Sequence, residues 1–283
     1  MGQDSKIEWT HHTFNPWWGC LKVSPACKHC YAETWAQRLG LDLWGGKNSE
    51  RRFFSDAHWK EPIKWDAAAR IDGTRRRVFC ASMADVFEDR LDLVPWRERL
   101  WPIIEQTKSL DWLLLTKRPE NIQKFVPWGT KKWPPNVWLG TTVENQEYAL
   151  ERIPLIADIP ACVRFISCEP LLSPLKLKRW LRPSIKGRGI NWVIAGGESG
   201  HHSRPMNPVW AEDLRDQCVQ SGVAFHFKQW GHWGPESSAD RRAVMTLDLP
   251  GRNGEKIRLF KLGKNEAGRL LDGRTWDGVP NTN

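Results

Sequence analysis

Seven short apolar runs recur through this chain at intervals of roughly 25 to 35 residues, and helix-like stretches lie between them. The runs cover residues 6–14, 77–82, 112–116, 137–142, 163–167, 192–195 and 224–227. Sequences such as Trp112, Leu113, Leu114, Leu115 or Trp192, Val193, Ile194, Ala195 do not alternate polar with apolar. A strand of that kind needs cover on both faces, which is the condition of a parallel sheet. The helix-like stretches span 31–39, 95–106, 119–125, 147–157 and 208–220, and Pro95, Pro119 and Pro208 stand where proline opens a helix. The order predicts an α/β chain with a parallel sheet, either doubly wound or curled into a partial or full (βα) barrel.

Polar clusters follow almost every run: Ser82 to Asp85, Thr116 with Lys117 and Arg118, Thr141 to Asn145, Ser167 with Cys168 and Glu169, Gly196 to Ser199, and Lys228 with Gln229. In a barrel such ends converge on one face, whereas a doubly wound sheet brings together only those beside the switch in strand order. The clusters therefore favour the barrel. Two stretches break the rhythm. Residues 41–75, with Gly45, Gly46, Trp44, Trp59 and Trp65, read as an irregular insertion after the first helix, lying over the barrel mouth. From about residue 231 the chain reads as a C-terminal extension, with a hairpin pairing 243–249 and 256–262 across the turn at 250–254. The expected organisation is a barrel over 1–230 and an extension over 231–283.

Cys20, Cys27 and Cys30 place three of seven cysteines in one loop after the first run, while Cys80, Cys162, Cys168 and Cys218 are scattered. An odd count with one cluster suits reduced thiols that hold metal better than a disulfide framework. Three thiolates with no obvious fourth can hold three irons of a [4Fe-4S] cluster and leave one iron open. Zinc is the alternative, with His29, His11 or His12 as fourth ligand. The first residues carry charge and lack an apolar segment, and no run approaches the length of a membrane span, so a soluble, cytoplasmic protein is expected with no membrane partner. The net charge of +9 points to a polyanion such as nucleic acid as partner, or to no more than a solvated surface. Nineteen tryptophans against two tyrosines serve core filling in the strand-like runs, although Trp also stacks on bases.

The three-cysteine loop after the first strand, His29 before its last cysteine, Tyr31 and Ala32 after it, and the βα pattern beyond resemble the radical S-adenosylmethionine superfamily. The usual superfamily loop is C-x3-C-x2-C; here the spacing is C-x6-C-x2-C. More closely, residues 14–20, 116–119, 138–145, 167–171, 196–200 and 268–276 are similar to a phage-associated family of radical-SAM-like proteins of undefined activity.

The resemblance implies that Cys20, Cys27 and Cys30 bind three irons, that S-adenosylmethionine chelates the fourth, and that a 5′-deoxyadenosyl radical abstracts hydrogen from substrate. A flavodoxin or ferredoxin would donate electrons. The substrate would be nucleic acid or a nucleotide, in modification or repair; a peptide or protein target is a second version, and a zinc-stabilised nucleic-acid-binding protein without catalysis is the competing class. For the cofactor, His29, Tyr31, Ser82, Asp85, Lys117, Arg118, Thr141, Glu144, Glu169, Gly196, Gly197 and Glu198 are candidates by position and chemistry. Plainer roles are a solvated turn for Lys117 and Arg118, helix capping for Glu144 and Asn145, and a tight turn for the glycines. Cys168 and Cys80 are candidate hydrogen-atom donors, as a cysteine is in the DNA-repair lyase branch, or else small buried hydrophobes. Of His226 and Lys228, one is expected at the mouth.

Overall fold

The computed structural model describes residues 2–129, 132–184, 187–235 and 245–282. In chain order the elements are β1 (His12–Thr13), β2 (Trp17–Trp18), α1 (Tyr31–Arg38), β3 (Arg52–Phe53), α2 (Asp56–Trp59), α3 (Glu61–Ile71), β4 (Arg76–Cys80), α4 (Val94–Gln106), β5 (Leu110–Thr116) and α5 (Ile122–Phe125). They continue with β6 (Val137–Thr142), α6 (Gln146–Ala157), β7 (Val163–Cys168), β8 (Trp192–Gly196), α7 (Pro208–Gln220), β9 (Ala224–Gln229), β10 (Trp233–Gly234), β11 (Thr246–Pro250), β12 (Lys256–Lys261) and α8 (Lys264–Ala267). The main sheet has seven strands in the order β1-β4-β5-β6-β7-β8-β9, all parallel. This is the expected α/β class, and the sheet is open because β1 and β9 are its two edges.

Side chains alternate between the two faces with the period of two that a strand imposes. Val78, Cys80, Leu114, Leu139, Ile166, Cys168, Val193, Ala195 and Phe227 pack outward with helix residues such as Ala69, Leu100, Ile104, Ile153 and Leu214. Phe79, Leu113, Trp138, Phe165, Trp192 and Ile194 point inward and form a separate cluster around Trp9. The Trp9 ring lies 4.6 Å from Phe79 on β4, 6.5 Å from Phe165 on β7 and 6.3 Å from Trp192 on β8. One ring can approach β4 and β8, four strands apart in the sheet, only if the sheet curls around it, so the architecture is a half-barrel with an aromatic plug. Gly140 on β6 makes room for that plug, because a Cβ there would fall 2.4 Å from the Phe165 ring.

Several sequence expectations change in the structure. The first run forms only a two-residue strand; Trp9 leaves the sheet edge and becomes the plug. Residues 41–75 are not irregular throughout. Helices α2 and α3 occupy their second half, and Trp59, Trp65 and Ala69 join the outer core. Pro62 in the first turn of α3 and the apolar face beneath it make this the covering helix of the first crossover. Asn145, rather than Glu144, caps α6 by accepting from the Tyr148 N–H at 3.0 Å. Asn207 caps α7 in the same way through the Val209 N–H.

The tail forms an antiparallel sheet, β10-β12-β11, with Leu247 opposite Leu259 in the expected hairpin; residues 243–244 of that expectation lie outside the described ones. Its last residues return to the half-barrel. The Phe227 N–H donates to the Trp276 carbonyl, and the Gly278 N–H donates to the Phe225 carbonyl. The tail thus lies along β9 and covers that edge. Among the described residues no helix is long and apolar enough to cross a membrane.

Two tests follow from the packing. Gly140→Ala is expected to destabilise the fold by about 1–3 kcal/mol through overpacking against Phe165, read as a lower denaturant midpoint. His226, almost fully buried against Trp192 and with neither ring nitrogen hydrogen-bonded among the described residues, has its pKa lowered to about 4 by burial first and by the Arg269 charge second. Its folded pKa lies below its unfolded one, so the stability it contributes is present above about pH 6.5 and is lost as pH falls through 4. His226→Phe should therefore flatten the loss of stability between pH 7 and 4; an unchanged pH profile would contradict this.

Candidate active site

The carboxyl ends of the parallel strands open into a cavity of about 410 Å³, the size of a small-molecule site. Trp9, Phe79 and Leu115, at the top of the plug, form part of its apolar lining, and Cys20, Cys27 and Cys30 line it too. The loop that carries them has little regular structure of its own, only a 3₁₀ turn at Pro25–Cys27 before α1. Its backbone is held from three directions by buried acidic residues.

Asp85 after β4 is the first anchor. Its Oδ1 accepts from the Thr116 hydroxyl at 2.7 Å and the Phe87 N–H at 3.0 Å. Its Oδ2 accepts from the Lys117 N–H at 3.0 Å and Arg118 Nη1 at 2.9 Å. Arg118 in turn donates to the Leu21 carbonyl at 2.5 Å and to Cys20 Sγ at 3.6 Å. Burial opposes the Arg118 charge, but the Asp85 carboxylate and the Cys20 sulfur outweigh it and its pKa rises.

Glu144 after β6 is the second anchor. It is fully buried, pairs with Arg152 at 3.0 Å and accepts from the Ala26 N–H at 3.3 Å. Glu198 after β8 is the third: it takes two hydrogen bonds from the Arg204 side chain and one from the Arg204 N–H, while Arg204 Nη2 reaches the Pro25 carbonyl at 2.9 Å. Gly19 completes the framework. Its φ of +110° and the 2.5 Å from a would-be Cβ to the Leu43 carbonyl leave room for no side chain before Cys20.

The rest of the wall is polar. Glu169 accepts from Lys228 Nζ at 2.7 and 2.9 Å and from Gln229 Nε2 at 3.2 Å; Gln229 also donates to the Ser199 hydroxyl. The Tyr31 hydroxyl donates to the Ser82 carbonyl at 2.7 Å. Lys117 and Lys264 line the cavity, and among the described residues neither amine forms an ion pair. Burial, opposed by Arg118, pushes the Cys20 thiol up to about 12, and burial likewise raises Cys30. Burial thus disfavours the charged thiolate at both positions, a cost that a bound metal would offset. Among the described residues no three His, Cys, Asp or Glu side chains come close enough to share one metal ion.

The structure therefore gathers Cys20, Cys27, Cys30, His29, Tyr31, Ser82, Asp85, Lys117, Arg118, Glu169, Gly197 and Glu198 around one cavity. Five sequence candidates lie elsewhere. Cys80 and Cys168 fall on the outward face of β4 and β7, packed against helices, so neither thiol reaches the cavity as a hydrogen donor. Thr141 is also off the lining, and its hydroxyl donates to the Thr116 carbonyl. Glu144 holds the loop from behind rather than facing a ligand. Gly196 is set back at a bulge, and Gly197 is glycine because a Cβ would meet the Trp230 carbonyl at 1.9 Å, a close approach of two strand ends. Both Lys228 and His226 share the inner face, but only Lys228 lines the cavity. The sequence reading missed Arg152, Arg204 and Lys264. Arg204 reaches Pro25 and Lys264 enters the cavity only across the fold, whereas Arg152 pairs with Glu144 eight residues earlier, a spacing that marks no motif.

The loop's dependence on its anchors can be tested with Arg204→Lys, which keeps a cation for Glu198 but loses the fork that also reaches Pro25. Loss of one charged hydrogen bond, about 1.5 kcal/mol, predicts roughly tenfold faster amide hydrogen exchange over residues 24–30 with the global stability nearly unchanged. Exchange at the wild-type rate would mean that this contact does not hold the loop.

A family model described as a protein of unknown function (DUF5131) matches residues 4–280. Among solved structures, the chain is similar to a double mutant of spore photoproduct lyase with bound AdoMet and dinucleoside spore photoproduct, at a TM-score of 0.49 and 12% identity, covering 93% of this chain and 71% of that one. It is also similar to a tyrosine-to-phenylalanine mutant of spore photoproduct lyase (TM-score 0.48, 12% identity, 94% and 72% covered). A third similar structure is the lyase complexed with dinucleoside spore photoproduct (TM-score 0.46, 11% identity, 94% and 72% covered). No curated protein matches the chain.

Proposed function

This chain belongs to the DUF5131 family, and we propose that it is a radical S-adenosylmethionine enzyme whose Cys20, Cys27 and Cys30 thiolates hold three irons of a [4Fe-4S] cluster. One observation carries the reading: three cysteines of a single loop line the same cavity as the acidic, basic and hydroxyl groups at the ends of six parallel strands, and the other four cysteines do not. A single zinc ion needs its donors gathered around one point, whereas a cluster asks each thiolate to reach a different iron. Held by Cys20, Cys27 and Cys30, such a cluster would supply one-electron, radical-generating chemistry to bound S-adenosylmethionine.

The chain's own part is to bind, orient and exclude water. The Lys117 amine suits the cofactor's carboxylate, and Glu169, whose Oε2 accepts from Lys228 alone among the described residues, keeps acceptor capacity for its ammonium group. Ser167, Ser199 and Thr142 offer hydroxyls to the ribose. Asp85 and Glu198 have their oxygens occupied by arginine and backbone donors, so their part is to hold the cysteine loop. The plug of Trp9 and Phe79 contributes an apolar wall. With Lys117 and Lys264 at the cavity and a net charge of +9, the substrate class that fits is nucleic acid or a nucleotide, and the electron donor a small carrier such as flavodoxin or ferredoxin.

Anaerobic reconstitution is expected to give about four irons per chain and, with dithionite and S-adenosylmethionine, release of 5′-deoxyadenosine. Cys27→Ala should abolish the release. Stoichiometric zinc with no uptake of iron would overturn the reading.

A further inference from the structure

Arg118 treats the three sulfurs unequally. Its Nη1 lies 3.6 Å from Cys20 Sγ, while Cys27 Sγ is 3.8 Å from the neutral Ser24 hydroxyl and Cys30 meets backbone groups of Ala32 and Glu33. The guanidinium is held in place on both sides of this contact, by Asp85 Oδ2 at 2.9 Å and by the Leu21 carbonyl at 2.5 Å, and the residue is 6% exposed. The Asp85 charge is spread over the Thr116 hydroxyl and the Phe87 and Lys117 N–H groups as well, so it offsets only part of the Arg118 charge.

Resting on the reading of Cys20, Cys27 and Cys30 as cluster ligands, we propose that Arg118 sets the reduction potential of the cluster, raising it through a charge-assisted hydrogen bond to the Cys20 thiolate. Reduction adds one electron, and the extra negative charge spreads onto the ligand sulfurs. A fixed cation in a weakly screened site favours that reduced state, and hydrogen bonds to the sulfurs act in the same direction. Arg118 touches a ligand and not the reacting atoms, so it is a positioning residue that acts through Cys20. Asp85 is the group that aims it.

The test is a dithionite titration of the anaerobically reconstituted full-length chain, followed by electron paramagnetic resonance, without S-adenosylmethionine. Wild type, Arg118→Gln and Arg118→Lys are compared, with iron per chain measured for each. At a fixed solution potential the reduced-to-oxidised ratio is expected to fall about tenfold in Arg118→Gln, equivalent to about 59 mV for a one-electron couple. Arg118→Lys keeps the charge but cannot span Asp85, Cys20 and Leu21 at once, and should fall between the two. Equal midpoint potentials in iron-loaded wild type and Arg118→Gln would overturn the proposal while leaving the enzyme class standing. Should Arg118→Gln fail to load iron, Arg118→Lys decides: a midpoint equal to wild type overturns the proposal and a lower one supports it. Wild-type protein that takes up zinc and no iron would instead remove the reading beneath it.

Discussion

The cysteine loop has almost no internal structure to hold it, and three ion pairs at the ends of parallel strands, two of them buried and the Glu198–Arg204 pair partly exposed, take that part. Asp85 acts through Arg118, Glu198 through Arg204, and Glu144, paired with Arg152, acts directly on the Ala26 N–H. Buried ion pairs are poor sources of net stability, because removing two charges from water costs about as much as their attraction returns. Here two of the arginines keep donors for loop carbonyls, at Leu21 and Pro25, and the third carboxylate accepts a loop amide. What the pairs contribute is placement: the sheet is rigid, and the loop inherits its position from the sheet.

That placement has meaning only because the sheet curls. A flat sheet of seven strands would spread its carboxyl ends too far apart for the first and last to share a cavity. The plug formed by Trp9, Phe79, Phe165 and Trp192 draws them together, and Gly140 gives up a side chain so that the Phe165 ring can enter. At the opposite edge, the tail's return along β9 satisfies backbone groups that an exposed strand would leave open. Glycine recurs where two backbones meet closely, at Gly19 before Cys20 and at Gly197 against Trp230.

Much of the sheet was legible because a strand covered on both faces reads as an unbroken apolar run, and β4 to β9 lie where such runs occur. The run before β1 misled for the same reason: Trp9 is as apolar in a plug as in a strand. Helices α2 and α3 were hidden among charged residues, since two short helices that bury only Trp59, Pro62, Trp65 and Ala69 have a narrow apolar stripe. At the site, residue type was legible and direction was not. Thr142 lines the cavity and Thr141, one residue earlier, does not; Ser167 lines it and Cys168, one residue later, faces the helices. Which parity faces inward is a property of how the sheet curls, and nothing in a local stretch of sequence states it.

By itself the sequence determined the class of fold, the three thiols in one loop and the chemical character of each strand end, because these depend on local composition and period. Tertiary structure decided which of those groups meet. The pairing of Asp85 with Arg118, the hold of Glu144 on the Ala26 N–H and the reach of Arg204 to Pro25 join elements far apart in the chain, as does the entry of Lys264 into the cavity. Such contacts are set by the curl of the sheet around its aromatic plug. A charge finds its partner only after that geometry exists.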